Sequence, residues 1–332
     1  MDEAQEMPVR RLRTGLALTE VGFGGAQLGN LPTALDDDVA QAAIDAAWDH
    51  GIRYFDTAPH YGLGLSERRL GDALAGRPRD AFAVSTKVGR LLVPTPGRAG
   101  ERDPEFDVPA THERVRDYSR DGVLRSLEGS LERLGLDHVD IVYVHDPDDE
   151  YAEVAFTEAI PALVELRDQG VVGAVGVGMK HPEVPAEAIR RTDLDVVMVA
   201  GRYTVLEQQS AAELLPLALE RGVGYVAAGV FGSGLLSRPR PTPDLTYDHG
   251  PVPPGLLSRV HALADLAERH GVTLPDVAAQ FPLRHPAVVS VPLGVRTAEE
   301  VAQNAVRCAV AVPEELWVEL EALPGQSGRT AG

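Results

Sequence analysis

Short valine-rich runs alternate with helical patterns along nearly all of this chain, and that alternation limits the fold more than any other feature. Strand candidates fall at 21–24, 53–55, 82–86, 139–144, 172–177, 196–199, 224–227 and 288–291. Helical patterns follow them at 36–50, 66–74, 121–134, 156–169, 184–191, 211–221, 256–270 (continued by 274–284) and 297–306, with a further helix at 313–323. Gly170, Gly222 and Gly271 stand just past three of these helices, where a left-handed closing residue is needed. The strand runs are continuously apolar, as expected of a parallel sheet buried on both faces. Eight strand-then-helix units in 332 residues favour a closed (β/α)8 barrel, the TIM barrel, over a doubly wound sheet. The expectation is one such barrel domain over 1–332. Ahead of the first unit, 9–12 and 16–18 flank Thr14-Gly15, a β-hairpin pattern placed to plug the bottom of the barrel.

Composition removes several function classes. Apolar residues make up 44% and charged residues 24%, enough to bury a full core. A formal net charge of −19 at pH 7 disfavours nucleic acid and anionic membrane surfaces as partners. The one cysteine, Cys308, supports neither a disulfide framework nor a cysteine zinc site, and reads as a small packed hydrophobe. The opening MDEAQEMPVRRLRTG is charged and lacks the apolar stretch of a secretory signal, and no apolar run approaches the roughly 18 residues of a membrane span. A cytoplasmic location is the expectation.

One connection is too long for a plain βα loop. Residues 91–119 carry Pro94, Pro96, Pro104 and Pro109 among many charges. They read as a structureless functional loop on the C-terminal rim, where barrel substrates bind. A second, proline-rich loop at 235–254 shares that rim.

Polar residues just past strand C-termini point into a barrel's active site. Asp56 ends the second strand in YFDTAPHYG, with Tyr61 five residues on. Lys87 ends the third in VSTKVG, and His145 the fourth in DIVYVHDPD. Each alone has an ordinary explanation as a cap, a rim residue or a satisfied core group. Together, at the ends of three adjacent strands, they define one convergent site. A tyrosine hydroxyl, with a reference pKa near 10, needs a neighbouring ammonium to ionise more readily. A buried lysine needs a carboxylate, which Asp56 supplies. His145 is suited to orient a carbonyl or hydroxyl oxygen. Such a set moves a proton on or off an alcohol oxygen and holds no metal, so hydride transfer to a nicotinamide is its natural partner reaction. The run HDPDDE at 145–150 reads as a solvated acidic loop rather than a metal cluster.

The hairpin, the eight units, DTAPHYG, STKVG, the strand-four histidine and PLGVRTAEEVAQN together resemble the aldo-keto reductases, over residues 8 to about 323. The resemblance implies that Tyr61 is the general acid/base, that Lys87 and Asp56 tune it, and that His145 positions the substrate. The runs YSRDGVLRS, VGVGM and AGRYT look like the D-threo-aldose 1-dehydrogenase, or L-fucose dehydrogenase, subgroup, whose signature pyridoxal 4-dehydrogenases largely share. The reaction so implied is oxidation of the C1 hydroxyl of an aldose to the lactone. The alternatives are a pyridoxal dehydrogenase, a general NADPH-dependent aldehyde or ketone reductase, and a nicotinamide-binding redox sensor.

The resemblance also implies a cofactor site, NAD or NADP, built from Gly178, Met179, Phe231, Gly232, Ser233, Gly234, Leu236, Gly294, Arg296, Glu300, Gln303 and Asn304. The glycine-rich loops after strands seven and eight suit a pyrophosphate. The chain departs from the wider family at Gly178-Met179-Lys180, where Ser-Asn is common, at Ala200, where a glutamine is common, and at Ala228, where an aromatic is common. Glu300 stands where NADP-specific members carry arginine. A carboxylate there repels a phosphate and accepts from a ribose hydroxyl, which favours NAD, although Arg296 is a candidate phosphate ligand. His60 and Tyr247, with His249, are candidate substrate contacts.

Overall fold

The computed structural model describes residues 7–323 except 99, 149, 248 and 249. Eight parallel strands close into a barrel in the order β3 (Val21–Gly24), β4 (Tyr54–Asp56), β5 (Ala83–Val88), β8 (Ile141–His145), β9 (Ala174–Met179), β10 (Val196–Ala200), β11 (Gly224–Ala228) and β14 (Val288–Gly294), with β14 paired back to β3. The expected (β/α)8 barrel is therefore the observed fold. Helices α1 (Asp37–Asp49), α2 (Leu65–Leu74), α3 (Arg120–Leu134), α4 (Ala152–Val154), α5 (Ile160–Asp168), α6 (Glu183–Arg191), α7 (Leu214–Arg221), α8 (Pro254–Arg269), α9 (Leu274–Gln280) and α10 (Ala298–Ala309) surround it, and α11 (Glu314–Glu321) is added beyond the eight units. No described helix is long and apolar enough to cross a membrane.

Strands β1 (Val9–Arg11) and β2 (Ala17–Thr19) form the expected antiparallel hairpin. Leu12 and Leu18 from it pack with Tyr54, Ile141, Tyr143, Val196 and Val226 in the barrel interior. The barrel is thus filled and closed at its N-terminal end. Truncating a buried leucine of this kind typically costs about 2–5 kcal/mol. A larger cavity of about 850 Å³ lies outside the floor, beneath the hairpin. Its Arg79 and Asp140 are paired with each other at 2.6 Å.

The expectation of a structureless connection after the third barrel strand is corrected. Strands β6 (Arg90–Pro94) and β7 (His112–Arg116) pair antiparallel through five positions. Arg114 ties the hairpin down, donating to Asp103 and to the carbonyl oxygen of His60. Beyond the strands, Phe106 and Val108 bury against Leu63 and Tyr61. Apolar burial and long-range hydrogen bonds order a segment whose local sequence is rich in proline and charge. The 235–254 connection likewise holds a short pair, β12 (Thr246–Tyr247) with β13 (Gly250–Pro251).

Candidate active site

Parallel register brings the chemistry to the C-terminal end of the barrel. Asp56 is paired with Ser85, Lys87 with Tyr143, and His145 with Gly178. Strand side chains alternate, so Ser85 and Lys87 share the inward face. Lys87 Nζ donates to Asp56 Oδ2 at 2.6 Å, to the Thr57 carbonyl at 2.9 Å and to the Tyr61 hydroxyl at 3.0 Å. Ser85 Oγ donates to the other oxygen of Asp56 at 2.6 Å. The His145 ring stands edge-on to that of Tyr61, with centroids 6.1 Å apart. The four residues singled out in the sequence therefore meet at one cavity of about 400 Å³.

Burial acts differently on each group. By itself it would discharge Lys87, but the charge of Asp56 and Tyr61 and the bonds to them outweigh it and hold the ammonium above its ordinary value. The net direction for Tyr61 is upward, because burial outweighs the opposing pull of Lys87. Lys87 pulls the Tyr61 pKa down, as expected of a neighbouring ammonium, but it offsets only part of the desolvation. His145 is held well below its usual range, first by burial and then by the charges of Lys87 and Arg90. It is a neutral imidazole, able to donate or accept at an oxygen without adding charge.

Close backbone packing places Tyr61. A Cβ on Gly29 would lie 2.5 Å from the Tyr61 carbonyl carbon, and one on Gly62 would lie 2.4 Å from the Gly29 carbonyl oxygen. Only bare glycines allow the loops after β3 and β4 to touch there. Tyr118, buried in the hairpin base, donates its hydroxyl to the backbone oxygens of both His145 and Asp146, at 2.6 and 2.8 Å.

The remaining candidates divide. Gly178, Met179 and Gly294 line the cavity, as do Lys180, Ala200 and Ala228. A Cβ on Gly178 would project to 3.8 Å from Lys87 Cε, so its absence leaves a flat wall beside the reacting groups. Gln27 lines the same cavity, and its Oε1 is buried with no hydrogen-bond partner. A flat floor, an orphaned amide acceptor and a neutral histidine beside a proton-transfer tyrosine fit a planar carboxamide-bearing ring such as nicotinamide. Phe231, Gly232, Ser233 and Gly234 form a chain of tight turns after β11, with Gly232, Ser233 and Gly234 all at positive φ. Leu236 is fully buried, backbone included.

The Arg296 side chain reaches to the backbone at 31–34. Its guanidinium donates to the carbonyls of Leu31 at 2.6 Å, Thr33 at 3.1 Å and Ala34 at 3.2 Å. Glu300 accepts from the Arg296 backbone N–H at 2.6 Å, and Gln303 donates to Glu299. Asn304 is buried and accepts from Arg307 at 2.8 Å. His60 lies on the cavity wall, but its Nδ1 faces Arg90 at 3.3 Å and its Nε2 faces Glu105 at 3.2 Å. Tyr247 lies over Gly232 and is not among the cavity-lining residues. His249 falls outside the described residues. Sequence reasoning passes over Arg90, Phe106 and Gln27, which belong to no strand-end motif, and meets Tyr118 only as the first residue of the YSRDGVLRS run. Asp146 sits within the acidic run read as solvated, although it directly follows the strand-end histidine.

The family model for the aldo/keto reductase family matches residues 20–324, and the chain belongs to that family. It is an oxidoreductase, and enzymes of the family use a nicotinamide cofactor. Among curated relatives, it is 47% identical to a D-threo-aldose 1-dehydrogenase of a Pseudomonas species over 92% of this chain and 94% of that protein. It is 40% identical to a pyridoxal 4-dehydrogenase of Microbacterium luteolum over 93% and 94% of the two chains. Among solved structures, an aldo-keto reductase of Bacillus halodurans in its holo form superposes with a TM-score of 0.77 at 26% identity, covering 98% of this chain and 99% of that one.

Proposed function

We propose that this enzyme oxidises the C1 hydroxyl of an aldose to the lactone, with NAD preferred over NADP. The observation that carries the chemistry is the Tyr61 hydroxyl held 3.0 Å from the buried Lys87 ammonium. Tyr61 takes the proton of the C1 hydroxyl, and Lys87 stabilises the phenolate that must exist for that transfer. Asp56 keeps Lys87 charged, and neutral His145 orients the substrate oxygen. A bound oxidised nicotinamide supplies the acceptor for the hydride that leaves C1. The aldose reading is supported by the similarity to a D-threo-aldose 1-dehydrogenase and by the polar side chains lining the cavity.

The NAD preference rests on Arg296 and Glu300. The Arg296 guanidinium is committed to three backbone carbonyls, and Glu300 adds a carboxylate at the start of α10. That arrangement presents an acceptor, suited to a ribose hydroxyl, and engages the Arg296 cation that would otherwise meet a 2′-phosphate.

Initial rates with NAD+ and NADP+ in parallel, on L-fucose, D-arabinose, D-glucose and pyridoxal, test both parts. Sugar-dependent reduction of NAD+ is the expected result. Turnover of pyridoxal alone would keep the four catalytic residues and replace the substrate.

A further inference from the structure

The residue after the strand-four histidine is strained in a way the four catalytic residues do not require. Asp146 has φ +45°, a left-handed conformation that residues bearing a Cβ seldom take. Three bonds hold it there. Its N–H donates to the Gly178 carbonyl at 2.8 Å, its own carbonyl accepts from Tyr118, and its carboxylate accepts from Arg90 at 2.5 Å. Such over-determined strain gathers at functional positions.

The result is a carboxylate on the wall of the catalytic cavity. Asp146 Oδ2 lies 3.5 Å from His145 Nε2, and His145, being neutral, does not neutralise it. Arg90 engages Oδ2, and among the described residues Oδ1 takes no hydrogen bond. An ionised carboxylate has room for about four hydrogen bonds, so this one retains capacity for a donor arriving with the substrate. The donor that fits is a hydroxyl close to the oxygen held by Tyr61 and His145. In an aldose, that is the hydroxyl on C2. An aldehyde lacking a vicinal hydroxyl brings no donor to that oxygen and forgoes the bond.

We propose that Asp146 reads the C2 hydroxyl of the sugar, and that Arg90 is its positioning residue. The proposal rests on the aldose reading above and names the group that selects the substrate. Arg90 in turn belongs to the β6 strand of the rim hairpin and also meets His60, so it aims the carboxylate from the rim.

D-Arabinose and 2-deoxy-D-ribose differ only by the C2 hydroxyl, and they provide the test. The kcat/KM of each is measured with NAD+ for the unmodified enzyme, Asp146→Gly and Asp146→Asn. Glycine accepts positive φ at no steric cost, and asparagine tolerates it, so both variants suit the local backbone. The unmodified enzyme is expected to prefer D-arabinose by about tenfold or more, and Asp146→Gly to shrink that ratio to about threefold or less. Asp146→Asn should fall between them. An unmodified enzyme that treats both sugars alike overturns the proposal without any variant. A ratio unchanged in both variants, even with lower rates, also overturns it, since Asp146 would then serve only the scaffold. Oxidation of neither sugar by the unmodified enzyme overturns this inference, and inertness toward L-fucose as well overturns the aldose reading with it.

Discussion

Lys87 Nζ lies 2.6 Å from Asp56 Oδ2, and both side chains are almost entirely buried. Breaking such a pair from one side leaves an uncompensated charge in the interior, which typically costs about 3–5 kcal/mol. Asp56→Asn is therefore expected to lower unfolding stability by that order. Its kcat should fall by about a hundredfold or more, the usual contribution of a correctly poised acid–base group. The double variant Asp56→Asn/Lys87→Met removes both charges. It should regain much of the stability and none of the activity. Urea unfolding beside kcat separates the two effects, and a double variant no more stable than Asp56→Asn would contradict this account.

Tyr61 is the proton acceptor that the geometry places against the Lys87 ammonium. Tyr61→Phe should cut kcat by about 10²–10⁴-fold, with cofactor binding retained by fluorescence titration. Burial raises the Tyr61 pKa above its ordinary value. Oxidation needs the phenolate, so log kcat for the sugar should climb steadily with pH and reach no plateau below about pH 10. A plateau near neutrality would show another group to be the base.

That upward shift marks where sequence reading stops. Asp56, Tyr61, Lys87 and His145 are legible because strand ends in a βα barrel announce themselves through apolar runs that finish in a polar residue. The sign of the Tyr61 shift is not, because it depends on how completely Phe106 and Leu63 enclose the ring. The hairpin carrying Phe106 is itself hidden. Its apolar residues are scattered among prolines and charges, and its anchors, such as Asp107 to Asn30 and Arg114 to His60, span dozens of residues. Gly29 and Gly62 are equally silent, since a close backbone approach leaves no local pattern.

His145 contributes a pH dependence to stability. Its folded-state pKa is depressed by burial and by the charges of Lys87 and Arg90, and that of His60 is lowered too, first by burial. Below about pH 6.5 the unfolded chain takes up protons on these rings and the folded chain does not. The stability they contribute is complete above that pH and is lost as pH falls, by up to about 1.4 kcal/mol per unit and per group. The melting temperature should drop on going from about pH 7.5 to about pH 5.5, and His145→Gln should flatten the drop. An equal slope in the variant would assign the effect to other groups.

Glu300 is the simplest handle on cofactor choice. Its carboxylate accepts the Arg296 N–H at the start of α10, where a 2′-phosphate would bring like charge close. Glu300→Arg removes that repulsion and adds a cation. The ratio of kcat/KM for NAD+ over NADP+ should fall by about tenfold or more, mainly through KM for NADP+, by the usual worth of a charge-assisted contact. Loss of activity with both cofactors in equal measure would instead indicate a damaged helix start.

The seat of Tyr61 is set by backbone contact with Gly29. A methyl group added at Gly29 would lie 2.5 Å from the Tyr61 carbonyl carbon and 2.6 Å from the Gly62 nitrogen, all of it backbone that has no rotamer with which to yield. The loop bearing Tyr61 must therefore move. Overpacking of this kind costs about 1–3 kcal/mol, while a catalytic group displaced by about 1 Å loses on the order of a hundredfold in rate. Gly29→Ala should consequently lose activity out of proportion to stability. It should remain folded by circular dichroism, with kcat reduced about a hundredfold and a pH profile still rising toward alkaline pH, because Tyr61 is displaced and not replaced. Full activity in a folded Gly29→Ala enzyme would show that the two loops have slack that their contact distances deny.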